Sequence, residues 1–142
     1  MTPLDLRKAP PRSPREELSG LCMLPRMIDI ARAKLPRGDI GQYHIGVGMS
    51  ALVLRHLDMH VDEFVQRVSD AGNEEALAAQ LSARRSAAEN RLFNLRLQRA
   101  TVADVPDDMR ERFVGFYGRD LPAGKRIFDL LEEDDARAFG GK

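Results

Sequence analysis

Three charged side chains stand at equal spacing in one segment of the chain: Arg26, Asp29 and Arg32. Residues three positions apart lie on one side of a helix, so both guanidinium groups can reach the carboxylate between them. Because each guanidinium presents paired N–H donors in a plane, such a group can orient a carboxylate or phosphate ligand. The same residues can also form an intrahelical salt-bridge ladder that fixes the following loop, and the sequence leaves both interpretations open.

A tyrosine and a histidine follow in a glycine-rich loop at residues 38–48. Tyr43 and His44 are adjacent there; histidine is the usual proton carrier near neutral pH, and tyrosine can donate beside it. Glycines let the backbone approach a ligand closely. No third catalytic group or nucleophile is identifiable, so the alternative is that both rings serve packing. The glycine spacing fits neither a phosphate-binding P-loop nor a dinucleotide fingerprint.

Two further histidines, His56 and His60, have the four-residue spacing that zinc sites use on one helix face. Residues 57–60 have the pattern of a junction between two helices, however, which would separate the imidazoles, although acidic residues follow closely. The acidic run at residues 132–135 is expected to be a solvated helix end rather than a cation site. The sequence therefore predicts no metal ion and no cofactor.

Five arginines fall within about 140° of one another on a helix, counting 100° per residue. They are Arg84, Arg85, Arg91, Arg96 and Arg99. Such a stripe could meet an acidic partner or RNA, but Leu92 and Leu95 share this face, and no aromatic side chain is present to stack on bases. Asn90 and Asn94 share another side of the helix, where they indicate either a polar pocket or local hydrogen bonds.

The spacing of apolar residues predicts the helices that must position these groups. The clearest helix runs from Leu24 to Leu35. A short helical turn is expected from Ser13 to Gly20, because Ser13 can cap it and Glu16 can reach back to the cap. Later helices are expected at residues 50–57, 61–72, from 73 onward, 86–98, 106–118 and around 127–131. The helix that starts near residue 106 is expected to bury Met109, Phe113, Phe116 and Tyr117.

These segments together predict an all-α fold, an irregular single-domain bundle of about six to seven short helices with a Gly-rich loop at residues 38–48. Residues 1–12 contain three prolines and are expected to form an extended N-terminal arm that lies on the domain or moves freely. Residues 13–142 then form a single helical domain, since a chain of 142 residues has the usual size of one core.

The composition is that of a soluble globular protein, with 43% hydrophobic and 31% charged residues. Lys+Arg and Asp+Glu balance at 22 each, which argues against nucleic acid as the main partner. Cys22 is the only cysteine, so an internal disulfide is excluded and a reducing compartment fits best. Since no apolar run has the length of a signal peptide core or a membrane span, we expect a soluble cytoplasmic protein.

Several short segments, spread over nearly the whole chain, resemble one family. In order, they are the sequences PPRSP at Pro10, LPRMID at Leu24, ARA at Ala31, GQYH at Gly41, FDLL at Phe128 and FGGK at Phe139. They resemble an uncharacterised bacterial domain-of-unknown-function family, number 5069 in that series. The resemblance implies a small helical bacterial protein and implies no activity. Residues 45–50 depart from the pattern, because IGVGMS stands where family members often have an Asn-Cys-Pro-Leu-Asp type of segment, and the family's tryptophans are missing.

These features predict a non-enzymatic cytoplasmic binding or protein-interaction domain, for which a homo-oligomer is one option. The alternative is a small enzyme or metabolite binder for a small anionic ligand. Its site would consist of Arg26, Asp29, Arg32, Tyr43 and His44. RNA contact along the arginine stripe is a weaker alternative, and no membrane association is expected.

Overall fold

The computed structural model describes residues 1–140, and most of them lie in helices. Within this range the helices are α1 (Leu24–Ala33), α2 (Gly48–His56), α3 (Val61–Asp70), α4 (Glu74–Ser82), α5 (Ala87–Arg99), α6 (Asp107–Tyr117) and α7 (Ile127–Phe139). The predicted all-α class is confirmed. Within residues 1–140 the one sheet consists of two strands of two residues each. No described helix is long and apolar enough to cross a membrane.

Side-chain caps fix where several of these helices begin. The Asn73 side chain accepts a hydrogen bond from the Ala76 backbone N–H at 2.8 Å and starts α4. Ser86 and Glu89 bond each other's backbone N–H groups at 3.1 and 2.9 Å, which is a capping box at the start of α5. Helix α2 begins without a side-chain cap: Ser50 lies inside the helix, and its hydroxyl donates to the Val47 carbonyl at 2.7 Å.

A β-hairpin replaces the helical turn predicted between Ser13 and Gly20. Strand β1 (Glu17–Leu18) pairs antiparallel with strand β2 (Leu21–Cys22). Between them Ser19 and Gly20 have φ of 51° and 81°, and positive φ at both central residues is the backbone of a tight hairpin turn. The expected helical turn is therefore wrong at this point, and the hairpin buries β2 against the helices.

The buried side chains of the main hydrophobic core come from the hairpin and from every helix except α6. Its fully buried large side chains include Leu24, Met27, Ile28, Phe64, Leu81 and Phe128. Helix α6 has no buried residue at all, and Phe116 is 47% exposed. The prediction that α6 buries Met109, Phe113, Phe116 and Tyr117 is wrong for Phe116, whereas Met109, Phe113 and Tyr117 are half-buried and Phe113 packs against the main core.

Residues 1–12 lie along the helical domain. Leu6 is 3% exposed and belongs to a small second cluster with Tyr43. The N-terminal ammonium of Met1 donates to the carbonyl of Ala71 at 3.2 Å. This segment contains a turn at residues 6–8 and contributes apolar contacts and backbone hydrogen bonds of its own.

Candidate functional site

A cavity of about 990 Å³ lies between α6 and the rest of the bundle. Its walls come from α1, the glycine-rich loop, α2, α6 and α7. Many lining side chains are apolar, including Met23, Ile30, Met49, Leu52, Phe113 and Leu131. Small-molecule sites typically measure roughly 300–1,000 Å³ and combine such walls with a few polar groups. The cavity therefore has the size of a small-molecule site, and charged side chains such as Arg55, Asp108 and Arg112 line it together with the apolar ones.

The aromatic side of α6 lines this cavity, and Phe113 also packs against the main core. The rings of Phe113 and Tyr117 are in contact, with centroids 5.0 Å apart. Other parts of the wall are formed by Gly46, Gly48 and Ala51, whose side chains are too short to fill the gap. Because protein interiors otherwise pack closely, these small residues leave space beside the aromatic rings of α6.

Arg26 and Asp135 form a buried ion pair beside the cavity. The Nη1 and Nη2 atoms of Arg26 donate to the two carboxylate oxygens of Asp135 at 2.7 and 3.0 Å. The two residues are only 4% and 9% exposed. Two parallel hydrogen bonds are the strong form of an arginine–carboxylate contact. The charge of Arg26 is therefore already matched within the protein.

Tyr43 completes this network and is buried. Its hydroxyl donates to Oδ1 of Asp135 at 2.8 Å, and the Arg26 guanidinium lies 5.5 Å from the centre of its ring. Burial, together with the hydrogen bond to Asp135, raises the pKa of Tyr43 above its usual value. Tyr43 therefore stays protonated and serves as a fixed hydrogen-bond donor to the carboxylate.

His44 is oriented differently from its neighbour. Its side chain is exposed, and its ring lies on Phe116 with centroids 4.8 Å apart. Both His44 and Tyr43 line the cavity, but the Tyr43 hydroxyl is bonded to Asp135 rather than to His44. The two side chains thus share the cavity without forming a hydrogen-bonded acid–base pair.

The other two residues of the predicted site lie elsewhere and have other partners. Asp29 accepts hydrogen bonds from the backbone N–H of Arg12 at 2.8 Å and from its guanidinium at 3.1 and 3.0 Å. Arg32 donates from Nε to the carbonyl of Thr2 at 2.7 Å. The expected ladder along α1 is therefore replaced by contacts to the N-terminal arm. Of the five predicted site residues, the cavity brings together Arg26, Tyr43 and His44.

The sequence interpretation missed Asp135 and Tyr117 as members of the site. Asp135 was included in a run expected to be solvated, but it follows Phe128 by seven positions and Leu131 by four. That spacing places it on the apolar side of α7, so periodicity contained the signal. Tyr117 lines the cavity from α6, and burial raises its pKa, with the Asp134 carboxylate as a second cause.

The remaining polar candidates have structural roles. His56 stacks on Phe93 with centroids 4.0 Å apart, while His60 lies at the start of α3 and its Nδ1 accepts from the Asp62 backbone N–H at 3.2 Å. Asn90 bonds His56 and a backbone carbonyl of α4, so its amide makes local hydrogen bonds rather than lining a polar pocket. Among residues 1–140 no group of three His, Cys, Asp or Glu side chains could hold a metal ion.

The two tyrosines provide a pH test of this site. A tyrosine whose pKa is raised by folding keeps its proton to higher pH in the folded state, so its contribution to stability is complete below pH about 10 and is lost as pH rises above that. We expect the phenolate absorbance of the native protein to appear well above pH about 10, together with loss of helical circular dichroism. In urea both tyrosines should titrate near pH about 10. Native titration near that pH with an intact helical spectrum would contradict the buried environment of Tyr43.

The fold and the cavity define the class: a small, predominantly helical domain with a largely apolar cavity beside a buried ion pair. The chain belongs to the family described as Domain of unknown function (DUF5069), whose model matches residues 8–137. The resemblance seen in the sequence is thereby confirmed over nearly the whole chain. The comparison with curated proteins gives no match.

Proposed function

We propose that this protein is a small-molecule-binding domain that holds a compact, largely apolar ligand with one uncharged hydrogen-bonding group. The observation that carries the proposal is the cavity of about 990 Å³, whose apolar walls meet the Tyr43 and Arg26 side chains. Such a combination of apolar area and a few fixed polar groups is the usual form of a ligand pocket.

The ion pair favours an uncharged polar group over the small anion expected from the arginines of α1. Asp135 occupies both terminal nitrogens of Arg26. An anionic ligand bound at Arg26 would have to displace this carboxylate, and the displaced Asp135 would then lie buried without its partner, which is costly. An uncharged hydroxyl or amide can instead bond to the edge of the network and leave the ion pair intact.

Binding without catalysis fits the orientation of the two candidate proton carriers. The Tyr43 hydroxyl donates to a carboxylate, and its pKa is raised, so it is a poor general base. His44 lies exposed against Phe116. We therefore favour a binding role over the enzyme alternative, and we keep a cytoplasmic location as part of the proposal because the single cysteine, Cys22, is a buried free thiol.

The proposal is tested by filling the cavity from α2. Ala51 lines the cavity, so Ala51→Phe should weaken binding of the uncharged fluorescent dye phenylnaphthylamine by about tenfold or more, a loss of at least ~1.4 kcal/mol. Naphthol should compete with the dye more strongly than naphthoate, since the Arg26 guanidinium is already paired with Asp135. Fluorescence titration measures both effects.

A matched control separates cavity filling from general damage. Ala79 is an exposed alanine of α4 that does not line the cavity, so Ala79→Phe should bind the dye like the unaltered protein. Both variants should keep the same helical circular dichroism. Equal dye binding by Ala51→Phe and the unaltered protein, or no saturable binding by either, would rule out the cavity as the binding site.

A further inference from the structure

Helix α5 exposes an apolar strip that the core does not use. The large hydrophobic side chains exposed within residues 1–140 are Leu92, Leu95 and Phe116, and the first two stand on α5 at 51% and 44% exposure. No residue of α5 lines the cavity. The strip is therefore separate from the proposed ligand site and calls for its own explanation.

Three arginines share this face of α5 with the leucines. Arg91, Arg96 and Arg99 are exposed, and within the described part of the chain none of them forms an ion pair or a side-chain hydrogen bond. At 100° per residue they fall within about 140° of one another, with both leucines between the outer two. Arg91 and Arg96 thus lie on either side of the leucines and Arg99 lies between them, so positive charge and exposed apolar surface share this face.

The two other members of the predicted arginine stripe behave differently. Arg84 donates to the carbonyls of Leu57 and Asp58 at 2.7 and 2.9 Å, and Arg85 donates to the carbonyl of His56 at 2.6 Å. Both arginines therefore hold the end of α2, where positive charge is favourable. Of the five arginines in the stripe, only the three on α5 lack a bond of this kind within the described residues.

The opposite side of α5 is firmly attached to the domain. The Asn94 side chain bonds the backbone of the hairpin at 3.0 and 2.7 Å, and Leu97 is 2% exposed in the main core. The outer face is thus presented on a fixed helix, so a partner would meet it without ordering it first.

We propose that this outer face of α5 docks an acidic amphipathic helix of another protein. An apolar stripe on the partner would cover Leu92 and Leu95, while its flanking Asp or Glu side chains would reach the arginines on either side. Charge complementarity of this kind sets the orientation and raises the association rate. The leucines argue against RNA, because single-stranded RNA is bound by aromatic rings that stack on bases.

The acidic run of α7 in a second copy of this chain is a poorer occupant of the same face. In the acidic run of α7, Glu132 is bonded to Ser13, Glu133 is paired with Lys125, and Asp135 is buried with Arg26. These carboxylates already have partners within the chain, so they are not free to meet the α5 arginines of a neighbour.

The test uses a synthetic helical peptide with a leucine stripe flanked by glutamates, labelled for fluorescence anisotropy. We expect it to bind at least about tenfold more tightly than a scrambled peptide of identical composition, and less tightly as salt rises. The double variant Arg96→Glu with Arg99→Glu should lose this preference. Arg119→Glu is the matched control, because Arg119 is an exposed arginine outside α5, and it should keep the preference.

Three outcomes would overturn the proposal. One is equal binding of the scrambled peptide, which would reduce the effect to nonspecific charge attraction. Another is tighter binding of a uridine oligonucleotide than of the peptide, lost in the same double variant, which would assign the face to RNA. The third is a dimer in analytical ultracentrifugation that the double variant dissociates, which would assign the face to a second copy of the chain.

Discussion

Asp135→Ala is expected to lower the free energy of unfolding by about 3–5 kcal/mol, the usual result of removing one partner from a buried ion pair. The substitution would leave the Arg26 guanidinium, now 4% exposed, without its carboxylate. It would also remove the acceptor of the Tyr43 hydroxyl. Urea denaturation followed by circular dichroism measures the loss.

The neighbouring residue supplies the control for this prediction. Asp134 lies 3.5 Å from Arg137 in a pair whose side chains are 47% and 67% exposed, and such surface pairs contribute little. Asp134→Ala should therefore change stability by less than about 0.5 kcal/mol. A similar decrease in the free energy of unfolding in the two variants would mean that the Arg26–Asp135 contact stabilises the fold no more than the exposed Asp134–Arg137 pair.

Removing both charges should be less harmful than removing one. In the double variant Arg26→Met with Asp135→Leu, no buried charge is left without a partner, so apolar packing can recover part of the loss. We expect it to be more stable than Asp135→Ala in the same urea titration. If it is less stable, the network contributes through its hydrogen bonds rather than through avoidance of an unpaired charge.

Asn94→Ala is expected to cost about 2–3 kcal/mol, because it leaves a buried backbone donor without a partner. The Asn94 Oδ1 accepts from the Cys22 backbone N–H at 3.0 Å, and Nδ2 donates to the Gly20 carbonyl at 2.7 Å. Cys22 is fully buried, so its backbone N–H cannot form a hydrogen bond to water instead. Chemical denaturation of the variant gives the size of the effect.

An exposed amide and the single cysteine give the controls for Asn94→Ala. Gln66 bonds Asp70 on the surface of α3 at 2.9 Å, and Gln66→Ala should change stability by less than about 0.5 kcal/mol. Burial, with a smaller contribution from Glu17, raises the pKa of the Cys22 thiol to about 12. Cys22 should thus resist alkylation in the native protein. If Asn94→Ala opens the hairpin, Cys22 should be alkylated faster in that variant. In Gln66→Ala the rate of alkylation should not change.

The helices could be predicted from sequence because local signals define them. Capping residues such as Asn73 and Ser86 and the regular apolar spacing of α1 act within a few positions. The hairpin at Ser19 and Gly20 was missed because its local signals resemble a helix start, and its strands are held by Asn94, which is 72 residues from Cys22. Such distant hydrogen bonds leave no periodic pattern.

The site was only partly predictable for a related reason. The residue types of Arg26 and Asp29 suggested that they pair with each other, since they are three positions apart on a helix. Each instead pairs with a distant residue: Arg26 with Asp135 and Asp29 with Arg12. The cavity depends on the distance between α6 and the neighbouring helices. The spacing of apolar residues within α6 does not predict that distance.

The pairing of the first helix with the last described one has a consequence for protein synthesis. The ribosome makes Arg26 109 residues before it makes Asp135. Until α7 emerges, the Arg26 guanidinium lacks the Asp135 carboxylate and Phe128 is missing from the core. The nascent chain therefore lacks contacts that would hold the other helices packed around α1. We therefore expect this domain to complete its folding only after α7 has been synthesised, and a ribosome stalled before α7 would carry an open, protease-sensitive intermediate.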